Sequence, residues 1–357
     1  MSGLVFSTFV LQVTLLFPST EQNSCVAGCT CLPEVKYVNC SSRNISDTLP
    51  NVPFSTAYLD LSRNDIVQIQ SYSFGNLIGL KTLLLRDNMV SFVSDGAFFH
   101  LQSLQKLDMS HNFISYLGNG FCLGLSSLAE LSLAYNNLTI LESNVFDDLD
   151  GLVKLDLRAN RIRRIESRAF SSTTTLRHLY LNENNITTLE LGTFSTLRSL
   201  EMLQLSRNKI ASIQVGVFTS LCNVVLLDLS YNKLSGLQFK TLLSICASNA
   251  HVLLEGNPWH CDCDLQRVFR KLDDIHRLFL DDYHELRCSD PAELKGSLIV
   301  EVAHELCIAE TVTVLILTGT VLVTVLAAIL MGEKNKRQSL AKDSAEEQVG
   351  LEGYCDN

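Results

Sequence analysis

The cysteines are the residues of this 357-residue chain that could most readily do chemistry, and there are twelve of them. Eight fall into two groups: Cys25, Cys29, Cys31 and Cys40 near the start, and Cys261, Cys263, Cys288 and Cys307 near the end. In a secreted chain such thiols form disulfides, whereas in a reducing compartment closely spaced cysteines more often bind zinc. The compartment therefore decides which chemistry applies.

Side chains of catalytic type show no recognisable arrangement. The sequence has no H-E-x-x-H, no G-x-S-x-G and no phosphate-binding glycine loop, and its eight histidines do not fall at metal-ligand spacing. The formal net charge is −10, which argues against a nucleic-acid partner. We expect no enzyme activity, no cofactor and no metal, and we expect the partner to be a protein ligand or another membrane protein.

Two apolar segments place the chain at a membrane. Residues 1–20 resemble a secretory signal peptide, with an uncharged apolar stretch from Leu4 to Phe17. Residues 311–332 carry no charge and are long enough to cross a bilayer, and Lys334, Lys336 and Arg337 follow them. Basic residues after a span stay on the cytoplasmic side. The sequence therefore predicts a single-pass type I plasma-membrane protein with an extracellular amino terminus, and this oxidising location favours disulfides.

A repeat of 24 residues organises the chain between the cysteine groups. Each unit has the pattern L-x-x-L-x-L-x-x-N-x-L, as in "LKTLLLRDNMV" (80–90). The repeated asparagines are Asn64, Asn88, Asn112, Asn136, Asn160, Asn184, Asn208 and Asn232. Alternating leucines indicate a strand with one face buried. An asparagine where the strand ends can bond backbone groups that a turning chain leaves unpaired.

A second column lies ten residues after each asparagine. It holds Phe74, Phe98, Cys122, Phe146, Phe170, Phe194, Phe218 and Leu242, and we interpret Cys122 as a small buried substitute for phenylalanine. Two columns in register over eight units resemble the leucine-rich repeat family. That resemblance implies an α/β repeat fold: a curved solenoid whose concave face is a parallel β-sheet, here with eight repeats over residues 54–248.

The two cysteine groups resemble the cysteine-rich caps of extracellular leucine-rich repeat proteins, over residues 25–53 and 249–307. The resemblance implies the pairs Cys25–Cys31, Cys29–Cys40, Cys261–Cys288 and Cys263–Cys307. Cys222 and Cys246 occupy the same position in neighbouring units, so they either form a further bridge or stay reduced. Residues 333–357 form a cytoplasmic tail that is acidic and polar, and we expect it to be disordered.

Three asparagines, Asn44, Asn137 and Asn185, fit the N-x-S/T rule for glycan acceptors. Candidate ligand-binding residues are those that depart from the usual Asp and Ser fillers on the exposed side of the strands. Tyrosine and arginine are frequent interface anchors. The predicted binding residues are Leu84, Arg86, Tyr135, Arg158, His178, Tyr180 and Tyr231.

Three binding roles remain open from the sequence. The first is an adhesion or recognition receptor that uses the concave face. The second is an auxiliary subunit of a channel or receptor in the same membrane, since the layout resembles the γ-type auxiliary subunits of large-conductance potassium channels, although this chain has more repeats. The third is an innate pattern-recognition receptor.

Overall fold

The structure is a computed structural model that describes residues 25–352 except 27 and 47–49. The side chains of residues 33, 273, 303–311 and 342–352 are outside the description. The expected signal peptide (1–20) lies outside the described residues, as does the end of the tail (353–357).

Short strands dominate the described part of the chain. The strands are β1 (Thr30–Leu32), β2 (Tyr37–Asn39), β3 (Tyr58–Asp60), β4 (Gln68–Ile69), β5 (Thr82–Leu84), β6 (Phe92–Val93), β7 (Lys106–Asp108), β8 (Glu130–Ser132), β9 (Ile140–Leu141), β10 (Lys154–Asp156), β11 (Arg164–Ile165), β12 (His178–Tyr180), β13 (Met202–Gln204), β14 (Leu226–Asp228), β15 (Ala250–Leu253), β16 (Trp259–His260), β17 (Leu278–Leu280) and β18 (Cys288–Asp290). The α-helices are α1 (Phe239–Leu243), α2 (Cys263–Asp273) and α3 (Ile299–Glu352), and single 3-10 turns cover Pro33–Val35, Tyr283–Glu285 and Ala292–Leu294.

Within the described residues one sheet of twelve strands runs the length of the solenoid, in the order β1-β2-β3-β5-β7-β8-β10-β12-β13-β14-β15-β17. All neighbours are parallel except β1 and β2. The eight repeat strands pair residue on equivalent residue, so that Leu155 lies beside Leu131 and Leu179. Each repeat strand buries its central leucine, because alternate side chains point to opposite faces. The two ends of β12 are half-exposed, whereas Asp156 at the end of β10 is buried.

The asparagine column forms a buried hydrogen-bond ladder. The Asn160 amide donates to the carbonyls of Leu133 (2.9 Å) and Leu157 (3.0 Å), and its oxygen accepts from the Leu138 N–H (3.0 Å). Each side chain thus joins its own coil to the preceding one. The residue before each repeat asparagine has a φ between 52° and 59°, the left-handed region. The bonds of the ladder hold the chain in that otherwise unfavourable turn.

The ladder has a ninth member that the sequence analysis missed. Asn257 donates to the carbonyls of Leu229 (3.0 Å) and Leu254 (2.8 Å) and accepts from the Leu234 N–H (3.1 Å). It falls one residue later than the regular spacing, since the coil that contains α1 is one residue longer.

The phenylalanine column packs as a spine along the opposite side of the core. The rings of Phe146 and Phe170 stack with centroids 5.9 Å apart, and the contacts continue to Phe194 and Phe218. Cys122 interrupts the spine as a buried free thiol that donates to the Val145 carbonyl (3.3 Å), and burial raises its pKa. Phe121 fills the space beside it, edge-on to Phe98.

Disulfides close both ends of the solenoid. The structure forms Cys25–Cys31 and Cys29–Cys40 at the amino end and Cys261–Cys288 at the carboxyl end. It also forms Cys222–Cys246 between neighbouring coils. Cys263 is disulfide-bonded too, but the side chain of its expected partner, Cys307, is outside the described ones, so that pairing stays a prediction.

Helix α3 contains the candidate membrane span. The candidate span falls within Val312–Ala341, which is long enough to cross a bilayer and is not buried inside the protein. Its uncharged apolar part ends at Gly332, before Glu333 and Lys334. The helix then continues to Glu352, so the expectation that the tail is disordered is wrong over residues 333–352. That expectation weighed charge and polarity alone, whereas the segment is rich in Ala, Glu, Gln, Lys and Leu, which favour helix.

We expect Asn160→Ala to lower the free energy of unfolding by about 2–3 kcal/mol, because buried backbone groups of Leu133, Leu138 and Leu157 lose their partner. The single tryptophan, Trp259, is fully buried and reports unfolding by fluorescence. Asn119→Ala, at an exposed asparagine, is the control and should leave stability unchanged within about 0.5 kcal/mol. Equal effects of the two substitutions would contradict the role of the ladder.

Candidate functional site

A shallow depression of about 190 Å³ lies on the concave face across β7, β8 and β10. Small residues form its floor: Ser110, Ser132 and Ala134, of which Ser110 and Ala134 are buried. The repeat pattern places these residues on neighbouring coils, so their short side chains leave a gap between longer ones. Small-molecule sites usually enclose roughly 300–1,000 Å³. The volume therefore suits one or two side chains of a protein partner better than a free metabolite.

Paired aromatic rings form one rim of the depression. His111 and Tyr135 stack with centroids 4.2 Å apart and planes 11° from parallel. Both occupy the left-handed position before a ladder asparagine, which projects their rings from the ends of adjacent strands. Asp87 lies near His111 (3.9 Å) and pairs with Arg86 (3.1 Å). The rim is thus held by contacts within the protein before any partner arrives.

Charged pairs form the remaining walls. The Lys106 ammonium lies 2.9 Å from Glu130, and the Arg158 guanidinium lies 3.1 Å from Asp156. Burial raises the pKa of Asp156, while the backbone N–H and the charge of Arg158 act in the opposite direction. Both signs of charge surround the small floor, so a partner with mixed charge is favoured over a uniformly charged one.

The structure brings most of the predicted binding residues together. Arg86, Tyr135 and Arg158 line the depression. Leu84 is half-buried and pairs with Asp108 at its edge. His178 and Tyr180 lie at the two ends of β12, the strand next to β10, and Lys154 lies over the Tyr180 ring at 5.5 Å.

Tyr231 does not join this group. Its hydroxyl donates to Glu255 (3.0 Å), Arg207 lies over its ring, and the hydrogen bond to Glu255 raises its pKa. Gly256 lies so close to the ring that a Cβ atom there would approach it within 2.4 Å. These contacts tie Tyr231 to the carboxyl-terminal coil.

Sequence analysis did not single out His111, Lys106, Glu130 or Lys154, which the depression adds to the site. An alignment of the position before each asparagine would have shown His111 and Tyr135 as neighbours. The small residues that form the floor are harder to recognise from the sequence, because Ser and Ala are common at these positions of the repeat.

A larger cavity of about 400 Å³ lies at the amino end, beneath the first coil. Leu59, Leu61 and Phe74 of the core form much of its wall, with Tyr72 and His100 at its edge. Among the described residues its lining includes no acidic or basic residue other than that histidine, so we centre the candidate site on the concave depression.

The Leucine rich repeat family matches residues 55–114, 110–162, 150–210 and 200–245, which together cover more than half of the chain. The chain belongs to the leucine-rich repeat family. The ladder, the spine and the parallel concave sheet described above are the physical form of that repeat.

Curated relatives share part of this repeat array. Leucine-rich repeat-containing protein 3 of Danio rerio is 35% identical over 97 residues, which are 27% of this chain and 35% of that protein. Amphoterin-induced protein 1 of Mus musculus is 30% identical over 96 residues, 27% of this chain and 19% of that protein. The chain thus matches about a third or less of the length of these leucine-rich repeat relatives.

Two solved structures resemble most of this chain. Human 5T4 (Wnt-activated inhibitory factor 1, Trophoblast glycoprotein) superposes with a TM-score of 0.58 and 25% identity, covering 78% of this chain and 97% of that one. A chain of the octameric complex of Latrophilin 3, Unc5D and FLRT2 (LRR) gives a TM-score of 0.63 at 23% identity, covering 79% and 99%. The second likeness shows the fold alone.

We expect Asp156→Asn to stabilise the protein at neutral pH. A carboxyl group whose folded pKa is raised stabilises the fold while it is protonated, and this contribution is lost as pH rises through the folded pKa. Asparagine keeps an oxygen for the Arg158 N–H and does not ionise. Unfolding midpoints measured against pH should be higher for the variant at pH 7 and should converge below about pH 4. A less stable variant at pH 7 would show that the attraction of Arg158 outweighs burial.

Proposed function

We propose that this protein binds another protein at the cell surface through its concave face, without catalysis, in an adhesion or receptor role. The observation that carries the proposal is the depression over Ser132 and Ala134, with its rim of Arg86, stacked His111 and Tyr135, and Arg158. Aromatic and arginine side chains around a small pocket are typical of interface anchor sites. The rim's own contacts reduce the entropy that binding would cost.

The location we propose is the plasma membrane, with the repeats outside and residues 333–357 in the cytoplasm. The disulfides support an oxidising compartment, and the uncharged residues 312–332 of the candidate span support a membrane anchor. The basic residues Lys334, Lys336 and Arg337 support this orientation. A structural neighbour supports a protein partner by analogy: it belongs to the Toll–Spatzle complex and gives a TM-score of 0.58 at 26% identity.

A second role, as an auxiliary subunit within one membrane, has its own support. Helix α3 starts inside the carboxyl-terminal cap, where Ile299 is buried and its N–H donates to the Leu286 carbonyl (2.9 Å). It then continues without a break into the membrane span. No flexible stalk separates cap from span in this backbone, which favours a partner in the same membrane.

A glycan inserted into the depression tests the concave site. Ser132→Asn with Ala134→Thr creates an acceptor, Asn-Leu-Thr, on its floor, and the bulky sugar should block a partner. We expect partners cross-linked to the full-length protein on living cells, measured by mass spectrometry, to fall at least about tenfold, the factor for loss of 1.4 kcal/mol.

The matched control places a glycan elsewhere on the repeats. Leu191→Asn creates Asn-Gly-Thr at an exposed position outside the concave sheet, and the cross-linked partners should be unchanged. Equal recovery with both glycans attached would exclude the concave face as the binding surface.

Replacing residues 311–332 by an unrelated membrane-spanning helix separates the two roles. If the concave face alone carries recognition, the cross-linked partners should be unchanged, because the ectodomain and its anchorage remain. Loss of the partner with normal surface expression, together with tolerance of the concave glycan, would favour the auxiliary-subunit role instead.

A further inference from the structure

The flank of the solenoid, where each coil leaves the sheet, carries a regular column of side chains. We call it the flank column; its members directly follow the repeat asparagines and are Asp65, Met89, Phe113, Asn137, Arg161, Asn185, Lys209 and Lys233. Hydrogen bonds fix their neighbours: the Asn137 N–H donates to the carbonyl of Ile114 (2.8 Å), and the Asn185 N–H donates to that of Ile162 (2.9 Å). Asn137 therefore lies beside Phe113, and Asn185 lies beside Arg161.

The part of this flank around Met89 and Phe113 is apolar and open to water. Phe113 is 56% exposed and Tyr116 is 55% exposed, and Met89, Phe92 and Ile140 are also exposed around them. Contiguous apolar patches of this kind are uncommon on soluble surfaces unless something covers them. In the carboxyl-terminal half the same column is basic, with Arg161, Lys209 and Lys233.

Two glycan acceptors occupy equivalent positions on this flank, one next to its apolar part and the other within its basic part. Asn137, in Asn137-Leu138-Thr139, stands between Phe113 and Arg161. Asn185, in Asn185-Ile186-Thr187, occupies the same position two coils later, between Arg161 and Lys209. The acceptor at Asn137 is therefore the one whose sugar can reach the exposed aromatic rings.

We propose that an N-linked glycan on Asn137 folds back over Phe113 and Tyr116 and covers the apolar flank, whereas a glycan on Asn185 extends into solvent. The inference rests on the extracellular location proposed above. Attachment joins the Asn137 side-chain nitrogen to the anomeric carbon of an N-acetylglucosamine from a lipid-linked pyrophosphate donor. The nitrogen loses a proton, and the lipid pyrophosphate leaves.

Sugar rings suit such a surface. One face of an N-acetylglucosamine presents C–H groups, which are attracted to the electron-rich face of an aromatic ring. The opposite face presents hydroxyl groups to water. A glycan laid on Phe113 thus removes apolar area from solvent and leaves a hydrated outer surface.

Enzymatic release of the two glycans from the folded protein tests this arrangement. The full-length protein, in detergent micelles, is treated with peptide-N-glycosidase, and release at each site is followed by mass spectrometry. We expect release at Asn137 to be at least about fivefold slower than at Asn185, since contact with the rings must first break. Phe113→Ser should remove the difference, and Tyr116→Ser should reduce it.

Arg161→Ser is the matched control, because Arg161 adjoins both acceptors, and it should leave the ratio of release rates unchanged. Equal release rates in the unmodified protein would overturn the inference and leave the apolar flank available to a protein partner. An occupied Asn185 with an empty Asn137 would also overturn it, while the extracellular location would stand. If neither acceptor carries a glycan, the inference fails, while the proposed location keeps its support from the disulfides and the membrane span.

A hydrophobic dye gives an independent measurement. Thr139→Ala removes the acceptor at Asn137 and should raise dye binding to the folded protein, whereas Thr187→Ala, which removes the acceptor at Asn185, should not. Thr139→Ser keeps the acceptor and should behave as the unmodified protein. Phe113→Ser should cancel the increase in dye binding caused by Thr139→Ala. If Thr139→Ala leaves dye binding unchanged, the glycan on Asn137 does not cover the apolar flank.

Discussion

Every coil of this molecule must turn sharply at the end of its strand, and the asparagine ladder makes that turn possible. The turn places a residue such as Ala159 or Glu183 in the left-handed region, which costs roughly 1 kcal/mol for a side chain other than glycine. It also leaves buried carbonyl and N–H groups without strand partners. The amide of Asn160 or Asn184 satisfies these groups on two coils at once. The ladder therefore fixes both the shape of each coil and its register with the next.

Because the register is fixed, equivalent residues of successive coils line up in columns on the surface. Residues that differ from the usual type in their column are the candidates for function. On the concave face Asp108 and Asp228 accept hydrogen bonds from the serine two residues later, which is a structural task. Tyr180 lies in the column of these aspartates, and Ala134 lies in the column of these serines. Neither residue makes this hydrogen bond, so each position can serve another role. A small residue between long neighbours produces a depression without any change of the backbone. The same scaffold can therefore carry different binding sites, so fold alone does not name the partner.

The sequence predicts the repeated parts of this structure well, because burial and backbone pairing impose the same demand on every coil. Cys122 was recognised as a buried residue for that reason. Asn257 was missed because the coil with α1 adds a residue and shifts the spacing. Tyr231 belongs to a column that faces the concave side, yet it contacts Glu255 and Gly256 of the ninth coil, which the regular 24-residue spacing does not include. The segment after residue 333 is helical because its residues have high helix propensity, which the expectation of disorder, based on charge and polarity, did not consider.

The distribution of apolar and charged side chains limits where a partner can approach. In the arrangement we propose, a glycan at Asn137 covers the amino-terminal flank and one at Asn185 extends into solvent beside the basic half, so bulky sugar would occupy this edge of the solenoid. Disulfides and cap strands occupy its two ends, and α3 joins the carboxyl-terminal end to the membrane span. The concave sheet is a large surface that these features leave open. Its depression lies on β7, β8 and β10, near the middle of the array, so the partner we propose would reach into the curve rather than dock against an edge.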